Sequence, residues 1–259
     1  MQIIIPMTGY GSRFAAAGFK DLKPLIKVQG KPMIEWIIEG MFPGEKDILF
    51  VCRQEHLDQI GTMEDTLLRI APTAEIFRVS DWVKKGPVVD VLRAGAMIDD
   101  DKPCIINYCD FYMSWNWAAF KRDVLARNCD GCVPCYTGFH PNLLPEKNYY
   151  ASCLTDSNDD LIEIREKYSF AKDKTKAKHS PGTYYFRSGR ILKQYCQELA
   201  DSEQAINGEF YASLPYNFMV KDGLKVWVPT NVRHFCQWGT PEDMKEYLFW
   251  TETVRRFSE

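Results

Sequence analysis

The stretch QIIIPMTGYGSRFAAAGFKDLKPLIKVQGKPMIEW, residues 2–36, decides the fold. It begins with Ile3, Ile4 and Ile5, an apolar β-branched run typical of a buried parallel strand. Gly9 and Gly11 follow directly, and because glycine has no Cβ, backbone N–H groups in such a loop can approach a polyanion. The pattern predicts a strand that runs into a phosphate-binding loop.

Two cations accompany this loop in the sequence. Arg13 offers a planar fork to phosphate oxygens, and Lys23 offers a compact point charge. Pro24 and Pro32 each follow a lysine and stiffen the chain there, so that less order has to be imposed on binding. A solvated basic turn is the simpler interpretation, but the density of glycine, arginine and Lys-Pro pairs favours phosphate handling.

The rest of the chain alternates between strand-like and helix-like segments. This alternation predicts βαβ units and therefore an α/β fold with a Rossmann-like, mixed, mostly parallel sheet flanked by helices. The predicted strands are residues 3–6, 47–52, 75–79, 103–108, 131–136, 149–154, 183–186 and 225–228. The predicted helices are residues 33–40, 57–70, 88–97, 117–126 and 241–257.

Size and composition narrow the class of protein. A chain of 259 residues with 46% hydrophobic residues fits one large domain, 1–259. A formal charge of −3 argues against a nucleic-acid partner. We expect no membrane segment, and nine scattered cysteines, an odd number, favour the reducing cytoplasm.

The segment GYGSRF…KPLIKVQGKPMIEW resembles the signature G-x-G-[ST]-R…K-P-[LM]…K-P-[MI] of the nucleotidyltransferases that activate sugar phosphates. The resemblance implies a GT-A-like fold and transfer of a nucleoside monophosphate from a triphosphate to a phosphorylated acceptor, with release of pyrophosphate. It also implies a nucleotide-binding half at about 1–138 and an acceptor-binding half at about 139–259. It implies Mg²⁺ as the cofactor, Arg13 and Lys23 as catalytic residues, and a set of nucleotide-binding residues. That set is Met7, Thr8, Gly9, Gly11, Ser12, Lys85, Gly86 and Pro87.

Asp110 follows an apolar strand and would lie at its carboxyl end, where α/β sheets bind ligands. Carboxylates are the usual protein ligands of Mg²⁺, and the family places its metal-binding aspartate at this location. A turn or helix-capping aspartate is the competing interpretation. The familiar D-x-D form is absent because Tyr108 stands two residues earlier.

Three further segments resemble parts of the family. Residues 84–92 resemble the strand-to-helix turn around the base, although Asp90 departs from the Gln or small residue of relatives. Lys167, in a Glu-Lys pair, and Glu209 and Tyr211, in the segment NGEFY, match acceptor-contacting positions. An exposed ion pair and a simple turn are the alternatives.

The segment WGTPED, residues 238–243, matches a motif of thymidylyl- and uridylyltransferases. Their second metal-binding aspartate stands two residues before the glycine, where this chain has Gln237. Either one metal serves, or the second is held differently, for which His234 and Glu209 are candidates.

Cys129, Cys132 and Cys135 have a spacing seen in zinc and iron–sulfur sites. In an extended segment, however, Cys132 and Cys135 would point to opposite faces, so buried core cysteines are favoured.

The sequence therefore predicts a nucleotidyltransferase that acts on a nucleoside triphosphate and a sugar-1-phosphate, with a role in surface polysaccharide precursor synthesis expected by family analogy. The alternative is a cytidylyltransferase with a non-sugar acceptor, for which Trp115, Trp117, Tyr211 and Trp238 could form an aromatic cage. A GT-A glycosyltransferase and a catalytically idle nucleotide-binding relative are less favoured. The base, the acceptor and a homo-oligomeric state are left open.

Overall fold

A computed structural model describes residues 1–59 and 61–258. The strands are β1 Gln2–Pro6, β2 Lys27–Val28, β3 Lys31–Pro32, β4 Ile48–Arg53, β5 Glu75–Val79, β6 Cys104–Asn107, β7 Phe111–Ser114, β8 Gly131–Cys132, β9 Ser152–Thr155, β10 Leu161–Arg165, β11 Lys178–His179, β12 Thr183–Phe186, β13 Val226–Trp227 and β14 His234–Gln237. The α-helices are α1 Ser12–Ala16, α2 Met33–Trp36, α3 Gln54–Gln59, α4 Met63–Ile70, α5 Pro87–Arg93, α6 Trp117–Arg127, α7 Gly189–Ala200, α8 Pro215–Lys221 and α9 Pro241–Ser258.

A seven-stranded sheet forms the centre of the molecule, in the order β13-β8-β12-β6-β1-β4-β5. The neighbours β6, β1, β4 and β5 are parallel, and β12 is antiparallel to both β6 and β8. The predicted mixed, mostly parallel α/β fold is confirmed. Strands β12 and β13 come from the predicted acceptor half, so both halves contribute to one sheet, and the division near residue 138 stays a prediction.

Strand β1 is buried on both faces, as its uninterrupted isoleucines predict. Ile3 and Ile5 pack into the core on one face of the sheet, and Ile4 packs into the core on the other. A third, smaller core gathers Phe14, Val28 and Trp238 beside the loop after β1. The loop after β1 is therefore packed between the central sheet and the start of α9.

Several predicted elements have different bounds in the structure, and two of them differ most clearly. The helix predicted at 57–70 is instead the pair α3 and α4, with a turn at Gly61 and Thr62; Ile60 lies outside the described residues. The strand predicted at 131–136 is regular only over β8, because Pro134 has no N–H to donate to a ladder. Val133 and Cys135 still donate backbone hydrogen bonds, to Trp227 O at 2.9 Å and Pro229 O at 2.8 Å.

The short pairs β7–β14 and β2–β3 complete the region around the loop after β1. β7 begins directly after Asp110, and its pairing with β14 brings residues 238 and 239 beside that aspartate. The backbone N–H of Trp238 donates to Asp110 O at 3.1 Å. In the part of the chain that the structure describes, no helix is long and apolar enough to cross a bilayer.

Candidate active site

A pocket of about 330 Å³ lies at the carboxyl ends of β1 and β6, the edge where parallel sheets bind ligands. Its walls come from the loop after β1, the start of α5, the residues after β6, the segment 209–211 and Gly239. The sequence-predicted site residues that line it are Met7, Thr8, Gly9, Gly11, Ser12, Arg13, Lys23, Gly86, Pro87, Asp110, Glu209 and Tyr211.

Two predicted site residues do not line this pocket. Lys85 lines a separate cavity together with Phe210, and its carbonyl accepts the N–H of Phe210 at 2.8 Å. Lys84, its neighbour, lines the pocket instead. Lys167 stands behind the pocket wall, where its Nζ donates to the Tyr211 hydroxyl at 3.2 Å.

Glycine is needed at positions 9 and 11 of the loop for different physical reasons. Gly11 adopts a left-handed conformation with φ 61°, and a Cβ there would lie 3.2 Å from Lys23 Cβ. Gly9 has φ outside the left-handed range and nothing within 4 Å of its Cβ position. The protein itself therefore requires glycine at 11, whereas at 9 the missing side chain leaves space in the pocket.

The cations of the pocket are arranged in two ways. Lys23 Nζ is held by Asp110 Oδ2 at 2.7 Å and by the carbonyl of Gly239 at 3.0 Å. Arg13 is exposed and forms no ion pair with any residue that the structure describes. One cation is thus fixed in position, and a second is available to an anionic ligand.

A chain of polar contacts forms the opposite wall. Lys84 Nζ lies 2.9 Å from Glu209 Oε1, and the Tyr211 hydroxyl donates to Glu209 Oε2 at 3.1 Å. Burial, reinforced by the Glu209 charge, raises the pKa of the Tyr211 hydroxyl, which therefore stays protonated at neutral pH. This wall presents hydroxyl, carboxylate and ammonium groups, the kind of set that recognises a polar, phosphorylated ligand.

The polar wall is attached to helix α5 by a backbone clasp at Gly86. Phe210 donates its N–H to Lys85 O at 2.8 Å, and Val88 donates its N–H to Phe210 O at 3.3 Å. A Cβ at Gly86 would lie only 2.6 Å from Phe210 N, so the close approach depends on glycine. The clasp fixes the distance between the two sides of the pocket.

Asp110 fits a cation that is shared with a phosphate ligand. Its side chain is 31% exposed and lines the pocket at the end of a parallel strand. Mg²⁺ keeps several waters and commonly takes only one or two protein carboxylates together with phosphate oxygens. Within residues 1–59 and 61–258, no three His, Cys, Asp or Glu residues converge on a metal site.

The residues considered as ligands of a second metal ion are not placed to bind one in this structure. The amide oxygen of Gln237 is buried without a hydrogen-bond partner among the described residues, and Gln237 does not line the pocket. His234 lies at the other end of β14, and both carboxylate oxygens of Glu209 are engaged by Lys84 and Tyr211. Nearby, Asp243 Oδ2 accepts the N–H of Thr240 at 2.9 Å, and the Thr240 hydroxyl accepts the N–H of Asp243 at 3.1 Å, a capping box at the start of α9.

The cysteines of the C-x-x-C-x-x-C segment are core residues. Cys129 and Cys132 pack in the core on one face of the sheet, and Cys135 packs on the other. All three are buried, and burial raises the pKa of each thiol. The expected separation of Cys132 and Cys135 to opposite faces is confirmed.

The aromatic cage suggested for a non-sugar acceptor is not formed. Trp117 is 4% exposed and Trp238 is 1% exposed, and both pack within hydrophobic cores. The indole N–H of Trp115 donates to Met41 O at 2.8 Å, away from the pocket. Of the four aromatics, only Tyr211 lines the pocket.

The structure adds pocket residues that sequence reasoning missed, namely Tyr10, Trp82, Lys84, Asp90 and Tyr108. In the sequence, Asp90 stands out only as a departure from relatives. Tyr10 and Tyr108 stand next to recognised motifs, which was the available signal. Trp82 had none, because the loop that carries it reaches the pocket only through tertiary packing.

Comparison with solved structures identifies the fold. A nucleoside-diphosphate-sugar pyrophosphorylase from Vibrio cholerae RC9 is similar over 96% of this chain and 100% of its own, with a TM-score of 0.76 and 18% identity. A UDP-glucose pyrophosphorylase complexed with UDP-glucose is similar over 98% of both chains, with a TM-score of 0.74 and 16% identity. HddC from Yersinia pseudotuberculosis, complexed with GMP-PN, is similar over 96% of this chain and 99% of its own, with a TM-score of 0.64 and 18% identity.

No family model and no curated protein matches the chain. At these levels of identity the likeness shows the fold, which is the sugar-phosphate nucleotidyltransferase fold expected from the sequence. The UDP-glucose and GMP-PN complexes also show that this fold accommodates different bases.

Proposed function

We propose that the protein is a nucleotidyltransferase that transfers a nucleoside monophosphate from a nucleoside triphosphate to the phosphate of a sugar-1-phosphate and releases pyrophosphate. One observation carries the proposal: a single pocket brings together the glycine loop, Arg13, Lys23 and Asp110. Those groups are separated by up to about one hundred residues in sequence, and together they suit a polyphosphate.

In this proposal the triphosphate lies on the Gly9–Gly11 loop, and Arg13 neutralises the departing pyrophosphate. Its freedom from ion pairs in the described chain supports that role. The acceptor phosphate attacks the α-phosphorus in line, while Lys23 stabilises charge on the equatorial oxygens. A phosphate monoester is already an anionic nucleophile, so positioning and electrostatics supply the rate without a general base.

The polar wall is proposed to bind the acceptor through Glu209 and Tyr211, with Lys167 orienting the Tyr211 hydroxyl. Lys84 replaces Lys85 as the lysine that faces the ligand, because Lys84 lines the pocket and Lys85 does not. Asp110 would hold Mg²⁺, which supplies charge neutralisation between phosphates when it is bound.

The cellular role is proposed by analogy with the fold's relatives. A nucleotide sugar made by this reaction would serve as a precursor of surface polysaccharide. Nine unpaired thiols, eight of them buried, suit a reducing compartment, so we propose that the protein acts in the cytoplasm.

The test is coupled pyrophosphate release with five nucleoside triphosphates against sugar-1-phosphates and small phosphomonoesters, in the presence of Mg²⁺. Acceptor-dependent release with one pair of substrates supports the proposal and names both. A phosphomonoester without a sugar as the preferred acceptor would favour the cytidylyltransferase alternative. Silence across the panel, with nucleotide still bound, would contradict nucleotidyl transfer.

Variants at the two cations sharpen this test. Arg13→Ala and Lys23→Ala should each lower kcat about 10²- to 10³-fold, the usual loss when one group that stabilises transition-state charge is removed. Lys20→Ala is the matched control, because Lys20 is exposed and does not line the pocket. Near-normal turnover in either pocket variant would show that the triphosphate is placed wrongly.

A further inference from the structure

Asp90 is a buried carboxylate at the wall of the pocket, in the first turn of α5. It is 2% exposed, and its Oδ2 accepts the Thr8 hydroxyl at 2.5 Å and the Trp82 indole N–H at 3.4 Å. Its other oxygen, Oδ1, is buried and has no hydrogen-bond partner among the described residues. A buried polar atom without a partner is costly, so Oδ1 needs an explanation.

The surroundings of Asp90 are suited to a flat aromatic ligand. Tyr10 and Trp82 line the same pocket and meet edge to face, with ring centroids 4.9 Å apart. The Arg53 guanidinium lies against both rings, at 4.0 Å from the centroid of Tyr10 and 4.5 Å from that of Trp82. Tyr10 is 57% exposed, so a ligand ring can contact this side of the pocket from solvent.

Asp90 accepts both of its side-chain hydrogen bonds and donates neither of them. Burial raises its pKa, but the hydrogen bonds from Thr8 and Trp82 and the charges of Arg93 and Arg53 act in the opposite direction. An ionised carboxylate only accepts hydrogen bonds. With Oδ2 already occupied by two donors, Oδ1 calls for a further donor.

We infer that Asp90 selects the nucleotide by its base, and that it favours a base with an exocyclic amino group, which donates to Oδ1, over uracil or thymine. Cytosine, adenine and guanine each carry such an amine. Uracil and thymine instead present carbonyl oxygens on either side of their one ring N–H, and a carboxylate would repel them. The inference rests on the proposed function for the placement of the base and goes beyond it by naming the class of nucleotide.

The experiment measures nucleotide binding by calorimetry, with no acceptor present, so that it does not depend on turnover. The wild type should bind at least one of CTP, ATP and GTP about 10- to 100-fold more tightly than UTP and dTTP, the range of one charge-assisted hydrogen bond. Asp90→Asn should narrow or reverse this ratio, because the amide can keep an oxygen toward Thr8 and present its NH₂ to a carbonyl. Trp82→Phe should weaken the discrimination by loosening Asp90 while keeping an aromatic ring.

Asp65→Asn is the matched control: Asp65 is also in the first turn of a helix, but it is exposed and does not line the pocket. Its selectivity ratio should equal that of the wild type. A merely structural Asp90 would change all affinities together and leave the ratio intact, which would overturn the inference. Wild-type preference for UTP or dTTP would overturn it as well.

The inference and the proposed function fail separately. Selective binding without pyrophosphate release for any acceptor would support the role of Asp90 and contradict nucleotidyl transfer. Pyrophosphate release with a base selectivity that Asp90→Asn leaves unchanged would support nucleotidyl transfer and contradict the role of Asp90.

Discussion

Replacing Gly86 with alanine should damage the protein more than any other single methyl addition to the pocket wall. Gly86 has φ 90° and ψ 170°, a region of backbone space that is essentially restricted to glycine. A residue with a Cβ held there costs about 1–3 kcal/mol. The new Cβ would also lie 2.6 Å from Phe210 N and 2.7 Å from Phe210 O, and both contacts are with backbone that cannot rotate away.

The expected loss in the free energy of unfolding follows from the contacts that the new methyl group would break. If the segment around Phe210 moves outward, the two backbone hydrogen bonds that join it to Lys85 and Val88 are lost. Each contributes about 1 kcal/mol. Together with the backbone strain, the expected loss is about 3–5 kcal/mol, a large share of the roughly 5–15 kcal/mol that stabilises a typical domain.

The assay is urea unfolding followed by circular dichroism, with thermal melting in parallel. At about 2–4 °C per kcal/mol for a chain of this size, Gly86→Ala should melt about 6–20 °C lower than the wild type. Gly208→Ala is the matched control, because Gly208 also has a positive φ, 75°, but nothing lies within 4 Å of its Cβ position. That variant should lose only about 1–2 kcal/mol. Equal stability of the two variants would refute the argument that the clasp requires glycine at position 86.

Three further outcomes are expected. Gly9→Ala should leave the melting temperature unchanged, because its Cβ meets nothing within 4 Å, and should weaken nucleoside triphosphate binding in calorimetry; unchanged affinity would contradict a ligand in that space. Burial raises the pKa of Glu166 from 4.5 to about 7, so its contribution to stability is fully present below pH 4.5 and is lost as the pH rises toward 7. Glu166→Gln, which keeps an oxygen for the Ser213 hydroxyl, should match the wild type at pH 4 and exceed its free energy of unfolding at pH 8 by about 3 kcal/mol; a constant difference across pH would refute this. Chelation by EDTA should stop pyrophosphate release, and Asp110→Asn should raise the Mg²⁺ concentration needed for half-maximal rate; an unchanged Mg²⁺ curve would exclude Asp110 as the ligand.

The local sequence pattern predicted a helix or strand correctly where the residues of that element alone carry the hydrophobic periodicity or the capping residue. The strands predicted at 75–79 and 183–186 coincide with β5 and β12. The helix predicted at 117–126 is α6, with Asn116 accepting the N–H of Ala119 as its cap. Hydrophobic periodicity and capping act over a few residues, so they can be read without the fold.

Patterns failed where the outcome depended on a partner distant in sequence. Which of Lys84 and Lys85 lines the pocket depends on Phe210. Its N–H donates a hydrogen bond to the Lys85 carbonyl and holds Lys85 away from the pocket. The role of Asp90 depends on Thr8 and Trp82, which approach it from two other segments. No local pattern around position 90 specifies either donor.

The sequence by itself determined the buried strand at Ile3–Ile5, the glycine loop after it and the cations beside that loop, because these are properties of neighbouring residues. The tertiary structure alone decided that Asp110, Gly239 and the segment 209–211 would meet this loop in one pocket. They are joined by backbone hydrogen bonds between β7 and β14 and at the Gly86 clasp. Every residue except proline carries both a backbone N–H and a backbone C=O. The partners in such hydrogen bonds are therefore determined by the packing of the whole chain and not by the local sequence.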